Sequence, residues 1–210
     1  MSKQNRGRLI VIEGLDRSGK STQCQLLVDK LILNMKRLKL FKFPDRTTAI
    51  GKKIDDYLTE SVQLNDQVIH LLFSANRWEP SIYYRANQQR CNCILDRYAF
   101  SGIAFSAAKG LDWEWCKSPD RGLTRPDLVI FLNVDPRIAA TRGQYGEERY
   151  EKIEMQEKVL KNLQRLQKEF REEGLEFITL DASSYALEDV DSQIVDLVSN
   201  VNIHETLDVL

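Results

Sequence analysis

Histidine is nearly missing from this chain of 210 residues: only His70 and His204 occur. That argues against a zinc centre built on several imidazoles, and His70, inside the apolar stretch Val68-Ile-His-Leu-Leu-Phe73, reads as a packed core histidine. Cysteine is scarce too. Cys24, Cys91, Cys93 and Cys116 include no C-x-x-C pair, and Cys91 and Cys93 open an apolar strand whose alternate side chains point to opposite faces, so buried, reduced thiols are expected. No apolar run approaches the roughly 20 residues that a membrane span needs. Charge of one sign is also lacking: 30 basic against 31 acidic residues leave a net charge of −1. No overall field therefore favours nucleic acid or an anionic membrane, and a partner must be recognised locally. There is no long Gly/Ser/Pro tract, internal repeat or break in composition, which predicts one globular domain over 1–210. MSKQNRGR at one end is polar and LDVL at the other is no recognisable address, giving the expectation of a soluble, intracellular protein. The Lys36-Arg37-Leu-Lys39 cluster reads as a solvated corner between helix and strand rather than a nuclear signal.

What is present is an alternation of two patterns. Leu9–Glu13, Leu38–Phe43, Cys93–Asp96, Leu128–Val134 and Phe177–Asp181 are short, apolar and rich in Val, Ile, Leu and Phe, as strands covered on both faces should be. Helical patterns fall at Lys20–Leu33, Ala49–Leu58, Asn65–Gln89, Pro136–Arg142, Glu151–Glu173 and about Leu187–Val201. In the fifth of these, Val159, Leu163, Leu166 and Phe170 lie three or four apart on one face. Such alternation predicts an α/β fold, a parallel sheet between helices with ligands at the carboxyl ends of its strands.

The sharpest motif lies at the end of the first strand. Gly14 to Ser21, GLDRSGKS, matches the phosphate-gripping pattern G-x-x-x-x-G-K-S, with a strand before it and a helix after it. Gly14 and Gly19 let the backbone curl around an anion, Lys20 reaches the outer phosphates and Ser21 can ligate Mg²⁺. ATP or GTP with Mg²⁺ is the expected ligand. A Ras-type switch would need an N-K-x-D motif, which is absent, and the small size argues against a motor, which leaves transfer to a small acceptor.

Two Asp-Arg pairs, Asp45-Arg46 in FPDRTT and Asp96-Arg97 in LDRYAFSG, emerge at strand ends near the same edge. Two guanidiniums there suggest a phosphate monoester as acceptor. Surface Asp–Arg pairs are the bland alternative, weakened by their register with the phosphate loop. In HLLFSANRWE, Phe73 and Arg77 are four apart and share one helix side, so the ring can stack a planar base while the guanidinium bonds its carbonyl edge. Plain core is the competing reading for Phe73.

Taken together, EGLDRSGKSTQ, FPDRTT, LLFSANRWE, DRYAFSG, RPDLVIFL and RGQYGEERYE resemble the eukaryotic-type thymidylate kinases along nearly the whole chain. The resemblance implies the P-loop nucleoside-monophosphate-kinase fold, a five-stranded parallel sheet flanked by helices with a mobile lid at about 142–151, and a homodimer packed through helices. It implies transfer of the γ-phosphoryl of ATP to dTMP in dTTP synthesis, with Mg²⁺, in the cytoplasm and also the nucleus. Residue by residue, it implies that Gly14, Leu15, Asp16, Arg17, Ser18, Gly19, Lys20, Ser21 and Thr22 hold the donor phosphates. Arg142 would lie against adenine near the Asp181-Ala182 turn. Phe73 would stack on thymine and Arg77 bond its edge, with Phe43, Gly102 and Phe105 lining the pocket. Arg46 and Arg97 would hold the monophosphate, Asp16 the sugar 3′-hydroxyl, and Tyr150 would crowd the 2′ position. Ser21 and Asp96 would serve Mg²⁺. Some relatives carry a lysine after Asp-Ala-Ser; this chain has Ser184 there.

The family resemblance also bears on Arg17, a cation inside a loop that already points N–H groups at an anion. Some thymidylate kinases place the catalytic arginine in the P-loop, others in the lid, and this chain resembles the first type. Arg17, Lys20 and Asp96 are then the catalytic set, with no general base needed because the acceptor phosphate is already ionised. Two rivals remain at this stage: a deoxynucleoside kinase, whose uncharged hydroxyl acceptor leaves Arg46 and Arg97 without a phosphate, and a catalytically silent nucleotide-binding module.

Overall fold

The structure is a computed structural model, and it describes residues 6–32, 38–81, 83, 91–143, 145–201 and 208–210. Five strands, β1 (Leu9–Gly14), β2 (Leu38–Lys42), β3 (Asn92–Asp96), β4 (Leu128–Asn133) and β5 (Phe177–Asp181), form one sheet in the order β2-β3-β1-β4-β5. Every pairing is parallel. β1 lies at the centre with all six residues buried. Its alternation serves two cores: Leu9 and Val11 join the cluster on one face, Ile10 and Ile12 the cluster on the other. A strand covered on both sides shows an unbroken apolar run, which is why it was readable.

The helices are α1 (Lys20–Ile32), α2 (Ala49–Leu58), α3 (Asp66–Trp78), α4 (Ala99–Ala108), α5 (Trp113–Lys117), α6 (Pro136–Ala140), α7 (Ile153–Glu172) and α8 (Leu187–Asn200). Thr48 caps α2 by accepting the Gly51 N–H at 2.9 Å, and Asn65 caps α3 by accepting that of Gln67 at 2.9 Å. Each cap satisfies an amide that the helix itself leaves without a partner. α7 buries Val159, Leu163, Leu166 and Phe170 as their spacing predicts.

Several boundaries differ from expectation. α3 does not run on to Gln89: a turn at Glu79–Pro80 interrupts it, where Glu79 still has helical backbone but Pro80 has no N–H to continue the ladder. Ser81 and Tyr83 are helical; the remaining expected positions, 82 and 84–89, lie outside the described residues, as do Leu33, Lys36, Arg37 and His204. α6 ends at Ala140 rather than Arg142. α4 and α5 have no counterpart in the sequence pattern. α4 is buried along almost its whole length, so it lacks the polar face that gives an exposed helix its period. Of the cysteines, Cys24, Cys93 and Cys116 are buried as expected, but Cys91, just ahead of β3, is partly exposed.

His70 is a buried core histidine. Its Nε2 faces the Cys116 carbonyl at 3.1 Å and its Nδ1 the Ser106 hydroxyl at 2.7 Å. A carbonyl only accepts, so Nε2 carries the proton and Nδ1 accepts from Ser106. Burial and then the charge of Arg77 push its pKa down to about 4. The unfolded chain takes up this proton near the ordinary value of about 6.5 and the folded chain does not. Stability from this group is therefore complete above about pH 6.5 and lost as pH falls toward 4, by roughly 2–3 kcal/mol. His70→Gln should flatten that part of a urea-unfolding profile measured from pH 7 to 4; an unchanged slope would show that His70 takes up its proton equally readily in the folded and unfolded chains.

Candidate functional site

A cavity of about 670 Å³ opens at the carboxyl end of the sheet, between the loop after β1, the ends of β2 and β3, α3, α4 and the segment around 142–151. The loop is built from a strained backbone. Gly14 has φ +155°, and a Cβ there would come within 2.7 Å of the Leu132 carbonyl oxygen. Arg17 occupies the left-handed region at φ +59° without being glycine, a conformation that concentrates at ligand sites because packing elsewhere must sustain it.

Lys20 points back into this loop. Its ammonium donates to the Leu15 carbonyl and, at 3.3 Å, to Ser18 Oγ. Burial and then the Arg97 charge pull its pKa down to about 8, against the pull of Asp96, Asp16 and Glu13. Ser21 Oγ donates to Asp96 Oδ2 at 2.5 Å, with Lys42 Nζ 3.3 Å from the same hydroxyl. Arg142 bridges the loop to the turn after β5, donating to the Arg17 carbonyl at 2.7 Å and the Ala182 carbonyl at 3.1 Å. Arg17 itself donates from Nε to Glu151 at 2.8 Å. The other oxygen of Glu151 gathers the amides of Gly146, Glu147 and Glu148 at 2.8, 3.1 and 3.4 Å.

On the opposite side, Arg46 and Arg97 do not pair with the aspartates beside them in sequence. Arg46 donates to Asp55 at 2.5 Å and to Glu148 at 2.6 Å. Arg97, itself left-handed at φ +69°, pairs with Asp16 and donates to the Gly14 carbonyl and Ser101 Oγ, both at 2.9 Å. Both guanidiniums are on the cavity wall, as the strand-end reading expects.

Phe73 and Arg77 share that wall. Arg77 is 2% exposed and holds Asp120 through Nε at 3.1 Å and Nη2 at 2.7 Å. Gly102 is what lets the guanidinium lie against α4: a Cβ there would sit 2.5 Å from Nη2. Phe105 and Tyr150 meet at 5.4 Å between ring centroids, and the Tyr150 hydroxyl donates to that of Tyr57 at 3.3 Å. Phe43 also lines the cavity, tilted against Tyr98 at 6.2 Å between ring centroids.

The structure thus gathers nearly every residue singled out in the sequence around one cavity. Gly14 and Leu15 are the exceptions, standing behind its wall: Leu15 is wholly buried in the core and contributes its carbonyl to Lys20. Arg149 also faces elsewhere. Its guanidinium lies 4.1 Å from the centre of the Tyr57 ring and donates to the carbonyls of Tyr57 and Val62 and the side chain of Gln63.

Comparison with known proteins agrees with this arrangement. A family model described as thymidylate kinase matches residues 12–194. The chain belongs to the thymidylate kinase family. It is 88% identical, over the full length of both chains, to the thymidylate kinase of Schizosaccharomyces pombe. To the human thymidylate kinase it is 48% identical over 78% of each chain. The solved thymidylate kinase of Candida albicans is 39% identical and superposes with a TM-score of 0.87 over 98% of each chain. The fold is accordingly the P-loop nucleoside-monophosphate-kinase type, with the family's five parallel strands.

Lys42, Glu148 and Glu151 on the cavity wall escaped the sequence reading, and so did three residues that support the wall from behind. Gln156 on α7 is wholly buried; it accepts from the Asp16 amide at 3.1 Å and donates to the Asp16 carboxylate and the Tyr150 carbonyl at 2.8 Å each. Its signal was present, since it lies three residues before Val159 on the apolar stripe. Glu13 signals itself similarly, as a charge ending an apolar strand. Asp120 had no such signal, because only the fold brings it to Arg77. Removing one partner of a buried pair costs more than the pair contributes, because it strands the other charge. Asp120→Asn should therefore lower unfolding stability in urea by roughly 3 kcal/mol. A loss under about 1 kcal/mol, the worth of an exposed pair, would show that Arg77 is held by other contacts.

Proposed function

We infer that this protein transfers the γ-phosphoryl of ATP to dTMP, giving dTDP and ADP. The observation that carries the reading is the convergence on one cavity of a phosphate-gripping loop bearing Arg17 and Lys20, two guanidiniums from β2 and β3, and an aromatic–arginine pair from α3. The first supports a donor triphosphate, the second an acceptor phosphate, the third a planar base with a carbonyl edge. A deoxynucleoside kinase would need a base for its hydroxyl acceptor. Here every carboxylate on the cavity wall is engaged: Asp16 by Arg97 and Gln156, Asp96 by Ser21, Glu148 by Arg46 and Glu151 by Arg17. The deciding assay supplies ATP with a panel of nucleoside monophosphates and with thymidine: dTMP should be the preferred acceptor and thymidine inert. Tight ATP binding with no ADP formed from any monophosphate would favour the silent binding module.

In this reading Ser21 and Asp96 serve Mg²⁺. Their oxygens lie 2.5 Å apart beside the phosphate loop, and a hard cation that keeps most of its waters asks for only one or two such donors from the protein. When bound, the ion neutralises charge on the donor phosphates. Arg142 and Ala182 flank adenine, Phe73 stacks on thymine, and Tyr150 crowds the 2′ position of the sugar. One domain with its lid at about 142–151 carries the whole site. A homodimer is proposed as well, supported by Val68 and Leu71, nearly half exposed on α3. No described helix is long and apolar enough to cross a membrane, and the proposed locations are cytoplasm and nucleus.

If Arg46 and Arg97 hold the acceptor phosphate, Arg46→Ala or Arg97→Ala should raise the KM for dTMP about ten- to a hundredfold while that for ATP moves little, since each loses a charge-assisted contact. Selective loss of ATP binding would overturn the assignment.

Arg17 engages the γ-phosphoryl mainly during transfer. Its left-handed backbone suits glycine, so Arg17→Gly removes the side chain without new strain. The kcat should fall by at least about a hundredfold with the Kd for ATP changed only a few-fold, whereas Arg149→Ala should cost far less in kcat. The reverse ranking would place the catalytic arginine in the lid.

A further inference from the structure

We propose that Glu13 is a positioning residue that sets the direction of the Arg97 guanidinium through the hydroxyl of Ser101. The inference rests on the reading of Arg97 as a holder of the acceptor phosphate. Glu13 is the last residue but one of β1, on the face shared with α4, and is completely buried. A carboxylate there is costly unless donors surround it, and three do. Its Oε1 accepts the amides of Tyr98 at 2.8 Å and Ser101 at 3.1 Å, and its Oε2 accepts the Ser101 hydroxyl at 2.5 Å.

The first two contacts fix the backbone around Arg97. α4 starts with Tyr98 as its N-cap and has no capping side chain of its own there, so the carboxylate from the neighbouring strand satisfies amides that the helix leaves over. The same contact grips the peptide directly after a left-handed arginine, while the Arg97 amide donates to the Ile12 carbonyl at 3.0 Å. Both sides of the unfavourable residue are thereby held by β1.

The third contact fixes the side chain. A hydroxyl has one proton. Because Glu13 takes it, the lone pairs of Ser101 Oγ are presented to Arg97 Nη1 at 2.9 Å. Nη1 also reaches the Gly14 carbonyl at 2.9 Å, so the guanidinium is anchored by two acceptors, one of which is set in the right sense by the proton that Ser101 gives to Glu13. Burial pushes the Glu13 pKa up, and the Arg97 charge with the donors of Ser101 and Tyr98 pulls it back toward the carboxylate. A glutamine would reverse that sense. Its oxygen can still serve the two amides, but its NH₂ then faces Ser101 and donates to it, turning the hydroxyl proton toward a cation.

The test is a cycle in the full-length protein of Glu13→Gln, Arg97→Ala and the double variant, with KM for dTMP and ATP measured separately. Glu13→Gln should raise the KM for dTMP by about tenfold or more, the worth of a hydrogen bond to a charged group. The KM for ATP should stay within about twofold, and the double variant should be no worse than Arg97→Ala alone. A purely structural Glu13 would reduce the folded fraction and leave both KM values in place, and that result overturns the proposal. So does a Glu13 effect of equal size with and without Arg97, in which case Arg97→Ala alone still raises the KM for dTMP and its own reading stands. If Arg97→Ala leaves that KM unchanged, the reading beneath fails and the proposal falls with it. Should Glu13→Gln not fold, Ser101→Ala takes its place in the same cycle, because it removes the relay while keeping the buried carboxylate on its two amides.

Discussion

Like charges crowded into a poorly solvated cleft repel one another, and the rest of this structure is arranged around that constraint. Arg17, Lys20, Lys42, Arg46, Arg77, Arg97 and Arg142 all reach a single cavity of about 670 Å³. Coulomb repulsion between such neighbours amounts to several kcal/mol at the effective dielectric of a partly buried site. Lys20 shows the effect directly, drawn down to about 8 by burial and by Arg97. The chain answers with acids taken from every side: Asp16 on Arg97, Glu151 on Arg17, Asp55 and Glu148 on Arg46, Asp120 on Arg77. These carboxylates differ in how tightly they are held. Asp120 is enclosed with its arginine, whereas Asp55 and Glu148 are partly exposed. In the proposed reading the pairs around Arg46 therefore yield to an incoming phosphate at little cost, while the Arg77 pair is a fixed part of the wall.

The second constraint is strain. Two of the three non-glycine residues with left-handed backbone are arginines of this site, Arg17 and Arg97, among the described residues. Neither conformation is favourable alone, and each is sustained by hydrogen bonds from elsewhere in the fold. For Arg97 these come from β1, through Ile12 and Glu13. The central strand thus does more than fill the core. It ends in the phosphate loop and holds the turn that presents an arginine from the neighbouring strand.

Much of this was legible in the sequence, for specific reasons. The five strands and the amphipathic α7 showed because burial on two faces, or on one stripe, leaves a periodic trace. The phosphate loop showed because its glycines and lysine sit at fixed spacing between a strand and a helix. Phe73 and Arg77 showed because four residues bring two side chains to one side of a helix. What stayed hidden was either aperiodic or non-local. α4 is buried nearly all round and carries a glycine, so neither period nor propensity marked it. The extent of α3 was overestimated because the apolar pattern overrode the proline signal at Pro80. The pairing of Arg46 with Asp55 and Glu148 rather than Asp45 could not be read, since Asp45 is taken up by the amide and hydroxyl of Thr47 in the turn and the true partners come from α2 and the segment after α6.

The segment around 142–151, the lid of the proposed reading, also bears on the choice of catalytic arginine. Arg149 lies in that segment, yet its guanidinium is spent on the ring and carbonyl of Tyr57 and on the loop after α2. What the segment sends toward the phosphate loop instead is an acid: one oxygen of Glu151 receives Arg17, the other ties three successive lid amides together. A lid that supplied its own arginine would have no use for a carboxylate at that point. A loop that carries the arginine does, because the side chain must be kept extended across the cleft without a phosphate to hold it. In the proposed reading, position 17 and position 151 are two halves of one arrangement, in which the loop brings the cation and the segment around 142–151 brings the anion that aims it.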